Sequence, residues 1–401
     1  MTRLVLKFGG TSMADPERIA ASAAIAAHEA ANGHQVAVVV SAMAGETDRY
    51  LSCAQALGGG LGEIETDTAL AAGEQAASAL MALALKQRGL QARAILAWQL
   101  PMEAEGAAGT ARITAINPAL LEACLAEGVI PVVAGFQGVS PDGRLVTLGR
   151  GGTDLSAAAI AAALGADCDI YTDVDGVFTT DPRIEPKARR VARISHDEML
   201  ELAAMGAKVL QTRSVEYAKA KGVALRVKSS FAPPGASAGT EVVAADRLAE
   251  RRIVSGIAYT RAQARLGVPG LEDSAAAPAA VFGALAEAGV HVDMIVQARA
   301  RSGGHNLEFS VDGRDLKAAL GALGAFAEVS HETGLAKVSV VGTGLRGRAD
   351  IARTLYGVLE AQAIPVRMVA TSEIKISALV DEDRLERAVR ALHAAYRLDE
   401  A

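Results

Sequence analysis

Cations, carboxylates and glycine pairs lie together at three places in this sequence, and each grouping suits phosphate or carboxylate chemistry. The first is KFGGTS, residues 7–12. Gly9 and Gly10 let backbone N–H groups approach an anion without side-chain obstruction, Lys7 brings a cation, and Thr11 and Ser12 add hydroxyl donors. The layout fits nucleotide phosphates, but the lysine precedes the glycines, so this is not a Walker A loop. Taken alone, it also fits a tight turn with a solvated lysine. The second is TLGRGGTDLSA, residues 147–157, where Arg150 can grip a carboxylate or phosphate through two parallel donors. Asp154 opens the helix that follows, and a helix N-cap is its plain alternative role. The third, YTDVDGVFTTDPRIEPKARR at 171–190, is a long polar loop of the kind that carries binding residues, although a charged surface loop looks similar. Glu74 and Lys208 stand apart, and read singly they need only a helix dipole and a solvated helix face.

The elements that must hold these residues alternate along the chain. The pattern predicts strands at 3–8, 35–43, 91–97, 129–134 and 168–172. Helices are expected from Asp15-Pro16 to Ala31 and over 69–88, 117–127 and 154–164. Near-continuous apolar runs such as QVAVVV belong to strands buried on both faces, so the expectation is an α/β sheet with its chemistry at the strand carboxyl ends. A Pro/Gly/Ser stretch at 231–240 marks a boundary near 245. Two similar stretches follow, each in the order β-α-β-β-α with a further strand. Strands are expected at 253–268, 290–297 and 306–311, then at 335–342, 364–370 and 373–379. Helices are expected at 278–289 and 315–323, then at 348–362 and 383–394. That is a pair of ferredoxin-like units.

The 401 residues carry a net charge of −6 and only fourteen aromatics, which argues against a nucleic-acid partner or an anionic membrane surface. Cys53, Cys124 and Cys168 form no CxxC pair, so neither a disulfide framework nor a zinc ribbon is expected. The seven histidines show no HExxH spacing, and no protein metal site is expected. The N-terminus lacks the pattern of a signal peptide, and the alanine-rich run 157–166 is too short to span a bilayer. A cytoplasmic location follows as an expectation.

Seven motifs in order, KFGGTS, VVVSAMAGET, GEQ, GFQG, LGRGGTD, YTDVDGVFTTDPR and GAKVLQTRSVE, resemble aspartate kinases of the amino acid kinase family. VSGIAY, VHVDMIVQ, KVSVVG and TSEIKIS resemble the tandem ACT domains attached to them. The resemblance implies an α/β fold: a three-layer αβα sandwich with a mainly parallel sheet over 1–245. Two ferredoxin-like βαββαβ ACT domains would follow at 246–330 and 331–401. It implies transfer of phosphate from ATP, accompanied by Mg²⁺, to the β-carboxylate of aspartate, the first step of aspartate-family amino-acid biosynthesis. By matching position, Lys7, Asp154 and Lys208 would be catalytic. Ser41, Thr47, Glu74, Arg150, Gly151, Gly152 and Thr153 would bind aspartate. Gly9, Gly10, Thr172, Asp173, Phe178, Asp181, Arg183, Lys208 and Val209 would bind the nucleotide. The chemistry agrees with the residues, because a carboxylate nucleophile is already ionised at neutral pH and needs no general base. Two alternatives are a same-fold kinase of another acceptor and a non-catalytic amino-acid sensor, whose signature would be loss of Lys7, Asp154 or Lys208.

The sequence departs from the family pattern at several positions. Thr153 stands for serine, and Ala104-Glu105 for a Thr-Asp pair in the 102–113 segment. Ala275 and Ala276 replace Pro-Gly in the first ACT loop, and Ala349 and Asp350 in the second. The effector-motif residues Asp293 and Gln297 are retained, but Ala298 replaces asparagine. Inhibition by lysine or threonine is therefore expected to be weakened, altered or absent. No methionine lies between Met205 and Met294, which disfavours a separate small subunit and favours a homo-oligomer paired through the ACT domains.

Overall fold

The computed structural model describes residues 2–400 except 205–208, 249–252, 301, 302, 327 and 346. By their contacts, the described residues fall into two units. The first takes 2–177, 190–204 and 209–248; the second takes 178–189 and 253–400.

In the first unit β1 (Arg3–Phe8) is buried from Leu4 to Phe8. It leads to α1 (Pro16–Ala31), where Asp15 caps the helix by accepting the Arg18 N–H at 2.8 Å and proline holds the first position, as the sequence signals. β2 (Gln35–Val40), α2 (Glu46–Ala56), α3 (Ile64–Gln87) and β3 (Ala92–Ile95) follow. Next come β4 (Met102–Glu105), β5 (Arg112–Ile116), α4 (Ala119–Ala126), β6 (Ile130–Ala134), β7 (Gln137–Val139) and β8 (Leu145–Thr147). The unit ends with α5 (Gly152–Leu164), β9 (Asp167–Thr172), β10 (Arg193–Ser195), α6 (His196–Ala204), α7 (Thr212–Lys221), β11 (Leu225–Ser229) and β12 (Thr240–Val243).

Among the described residues, eight strands form one sheet in the order β10-β12-β11-β9-β1-β2-β6-β3, and only the β11–β12 pairing is antiparallel. The two-residue period of a strand then sorts side chains between helical layers. Leu4, Leu6 and Phe8 pack with Ile19 and Ile25 of α1 and Met81 and Leu85 of α3. Lys7 points to the opposite face, where it meets α5. This is the expected αβα sandwich.

A second sheet, in the order β5-β4-β7-β8, was not expected from the sequence. Its strands are three to five residues long, and β5 is exposed or half-exposed throughout, so no alternation is long enough to read. It packs through Ala104, Ala111, Val146 and Leu148 against Leu155 of α5. Among the described residues α3 is the one helix long and apolar enough to cross a membrane, yet it packs in the core with Asp67 and Glu74 buried on it.

The second unit contains β13 (Gly256–Leu271), α8 (Ala276–Glu287), β14 (Val292–Arg299), β15 (His305–Asp312), α9 (Leu316–Ala322), β16 (Ser330–Val341), α10 (Ala349–Ala361), β17 (Met368–Thr371), β18 (Lys375–Asp381) and α11 (Leu385–Ala395). The β-α-β-β-α order of both stretches is present, but the two repeats share one sheet, β14-β15-β13-β16-β18-β17. Long β13 serves both: its first half pairs with the end of β16, and its second half with β15. Ile257 accordingly joins one hydrophobic core, and Ala264, Leu266 and Val268 the other. Residues 178–189 belong to this unit, with Ile184 in the same core as Ile257.

Candidate active site

The carboxyl ends of β1, β2, β6 and β9 bring the glycine loops of the first unit together. Past Phe8, the Gly9 N–H donates to the Tyr171 carbonyl at 3.3 Å, and Gly10 opens a single 3-10 turn, Gly10–Met13. Lys7 is buried, and its Nζ lies 2.6 Å from Asp154 Oδ1. That oxygen makes no directed hydrogen bond among the described residues, so the contact is one of charge and leaves acceptor capacity free. A methyl group on Gly9 would come within 3.1 Å of the lysine nitrogen. Lys7 and Asp154, far apart in sequence, are thus a buried ion pair, an arrangement with a desolvation penalty that marks a site more readily than it adds stability.

Asp154 is not the cap of α5. Gly151 takes that place in the left-handed region, at φ +74, and a methyl on it would lie 1.9 Å from Gln211 Cγ. The carboxylate instead projects from the first turn, beside buried Gly152 and Thr153. Arg150, just before them, is exposed and makes no ion pair among the described residues.

Glu74 lies on α3 and is only 3% exposed. The Ala42 N–H donates to its Oε1 at 3.0 Å, while Oε2 has no hydrogen-bond partner among the described residues. Burial pushes its carboxyl up to about 7. Gly73 makes this approach feasible, because a methyl there would sit 2.7 Å from Ala42 Cβ. Ser41, just after β2, donates its N–H to Phe8 O at 3.0 Å, and Thr47 lies in the first turn of α2; both are half-buried.

Of the residues assigned to the nucleotide from sequence, the Thr172 hydroxyl donates to Asp173 Oδ1 at 3.1 Å, and the Ser230 N–H donates to the Thr172 carbonyl at 2.8 Å. Val209 is half-buried, and Lys208 lies outside the described residues. Phe178, Asp181 and Arg183 are in the second unit. There Arg183 Nη2 donates to Asp181 Oδ2 at 2.8 Å and the Tyr259 hydroxyl donates to the same carboxylate. The Arg183 bond, with help from Tyr259, lowers the Asp181 carboxyl to about 2. Also in that unit, Asp293 is paired with buried Lys337, and Gln297 is exposed on β14.

Sequence reading missed Asp67 and Arg213. Asp67 sits seven residues before Glu74 on α3, hence two turns away on the same face, and that periodicity was its one available signal. No group of three or more His, Cys, Asp or Glu side chains arranged for a metal occurs among the described residues.

Comparison with known proteins shows the family. The amino acid kinase family pattern matches residues 2–229, and an ACT domain pattern matches 338–396. An aspartokinase of Geobacillus stearothermophilus is 44% identical over 99% of this chain and 98% of its own. One from Pseudomonas aeruginosa is 42% identical over the whole of this chain and 98% of its own. The solved structure of E. coli aspartokinase III in complex with aspartate and ADP, described as the R-state, superposes with a TM-score of 0.81 at 29% identity, covering 98% of this chain and 99% of that one. The same enzyme in complex with lysine and aspartate, the T-state, gives 0.78 at 28% identity, covering 98% of each chain. On the strength of its motifs, its αβα sandwich and these full-length matches, the chain belongs to the amino acid kinase family, among the aspartokinases.

Proposed function

We propose that this chain transfers the γ-phosphoryl group of ATP to the β-carboxylate of L-aspartate, giving 4-phospho-L-aspartate. The observation that carries the reading is the buried Lys7–Asp154 pair on the same unit as Glu74, whose second carboxylate oxygen has no partner among the described residues. Lys7 neutralises charge on the phosphoryl group in flight, and Asp154 holds the lysine in place. Lys208 is assigned the same neutralising task from sequence. Gly9 and Gly10 give backbone donors to the phosphates. Glu74 receives the aspartate ammonium group, Arg150 its α-carboxylate, and Ser41, Thr47, Gly151, Gly152 and Thr153 its remaining polar edge. Thr172, Asp173 and Val209 of the first unit contact the nucleotide, and Phe178, Asp181 and Arg183 are assigned to it from sequence alone. Mg²⁺ enters with ATP as part of the co-substrate. The attacking oxygen is an ionised carboxylate, so positioning and charge supply the catalysis and no proton is abstracted.

The catalytic domain is assigned to 1–245 and the ACT domains to 246–330 and 331–401, in a cytoplasmic homo-oligomer paired through the ACT domains. Lysine or threonine inhibition is weakened, altered or absent. Asp293 is already neutralised by Lys337, and Ala275 and Ala276 stand where glycine would let the backbone approach an amino acid. Titration calorimetry showing tight lysine or threonine binding with matching inhibition would refute this.

The activity is tested by trapping acyl phosphate with hydroxylamine, with ATP, Mg²⁺ and either aspartate, glutamate or acetylglutamate. Aspartate-specific product that disappears in Lys7→Ala is expected. Product from another acceptor only, or from none, would overturn the assignment.

A further inference from the structure

Asp67 is fully buried on α3, and its carboxylate gathers three donors from two separate loops. The Thr147 N–H donates to Oδ2 at 2.6 Å, the Gly109 N–H to Oδ2 at 2.8 Å, and the Thr147 hydroxyl to Oδ1 at 2.9 Å. Three bonds to one buried side chain fix both segments to one helix. Gly109 lies in the turn between β4 and β5, and Thr147 ends β8, three residues before Arg150.

The two loops are also fixed to each other. The Ala111 N–H donates to Thr147 O at 3.1 Å. Arg213 of α7 donates to the carbonyls of both Ala111, at 2.8 Å, and Leu148. Gly149 and Gly109 both hold φ +77, and a methyl on Gly149 would lie 2.6 Å from the Gly109 carbonyl oxygen, so the backbones meet with no space for a side chain.

The helix clamped by this hub carries Glu74, and one of the clamped loops carries Arg150. We infer that Asp67 is a positioning residue for the acceptor: it sets the spacing between the carboxylate assigned to the substrate ammonium and the guanidinium assigned to its α-carboxylate. The inference rests on the functional reading above. The hub reaches the acceptor side of the site, so aspartate recognition should suffer when it is broken and ATP recognition should not.

The experiment compares steady-state kinetics of the full chain, Asp67→Ala and Asp67→Asn, with amide hydrogen exchange over 106–111 and 147–151 in the same proteins. Asp67→Ala should raise the aspartate KM by on the order of tenfold, as small displacements of positioning groups do, with the ATP KM within about twofold. The Gly109 and Thr147 amides should exchange faster. Asp67→Asn should recover most of the loss, because its amide oxygen can accept both N–H groups while the Thr147 hydroxyl turns to accept. An unchanged aspartate KM, or equal losses for aspartate and ATP, overturns the inference. Should Asp67→Ala not fold, Thr147→Val removes a single bond and carries the same test with a smaller expected rise. Failure of the wild-type chain to phosphorylate aspartate would refute the functional reading instead. The exchange arm would then still decide the hub: unaltered exchange in the variants refutes it.

Discussion

Glu74 sits in an environment that a glutamate disfavours. One oxygen accepts a single N–H, the other has no partner among the described residues, and burial raises the carboxyl from 4.5 to about 7. Between those values the folded chain holds a proton that the unfolded chain releases, so stability falls as pH rises through that window. The shift corresponds to at most about 3 kcal/mol by 7 and above. Glu74→Gln, an isostere of the protonated acid, is therefore expected to stabilise the ligand-free protein at pH 8 by roughly 1–3 kcal/mol in urea denaturation. The same change should raise the aspartate KM by about a hundredfold or more, because an ammonium ion loses its charged partner. In the wild type the aspartate KM should fall as pH rises from 6 to 8, as Glu74 ionises; a flat profile would exclude Glu74 as the ammonium site. The sequence marked Glu74 only through the GEQ motif, since a buried carboxylate without its ligand looks like any helix glutamate. Lys7 and Asp154 were legible for a better reason. Glycine pairs at strand ends are a local signal, and the fold had only to bring two of them together.

At the scale of elements, the long strands and helices of the sandwich were readable because burial on both faces leaves continuous apolar runs. The four-stranded sheet was not, as strands like QGV and LVT are too short to carry a period. Glycine told more there than hydrophobicity did. Gly151 ends its loop in the left-handed region, and its Cα faces the side chain of Gln211, the residue capping α7. Gly151→Ala adds both backbone strain and a clash with Gln211 Cβ and Cγ, and should destabilise the chain by about 2–4 kcal/mol. Because the displaced segment joins the Arg150 loop to α5, activity should fall as well. Gln211→Ala in the same chain removes Cγ and should restore part of the stability but not all, since Cβ alone would remain 2.4 Å from the new methyl. Equal melting temperatures for wild type and Gly151→Ala would show that the loop relaxes freely.

For the molecule as a whole, the repeat in the second half was visible as a pattern, whereas the sharing of β13 and β16 by one sheet was not. Strand order depends on pairings between distant residues that no local period encodes. The membership of 178–189 was hidden for the same cause. Within the second unit that segment is tied down at its start: the Ile257 N–H donates to Thr179 O at 2.7 Å, and Thr179 Oγ1 lies 2.8 Å from His393 Nε2. His393 is 1% exposed, and burial lowers its pKa below 6.5 although Glu185 and Asp399 pull the other way. A histidine kept neutral in the fold contributes stability that is present above its unfolded pKa and lost as pH falls through its folded one. On going from pH 7 to pH 5 this contribution is lost, opposite in sign to the stability that Glu74 regains over the same range. His196, buried in the first unit and lowered by the same cause, adds a share of its own, so the comparison must be made with a variant. His393→Gln retains an amide that can bond Thr179 but does not titrate. On going from pH 7 to pH 5 its melting temperature should rise relative to that of the wild type, with the difference confined to that interval. If the two melting temperatures change in parallel, protonation of His393 is not what loosens the segment.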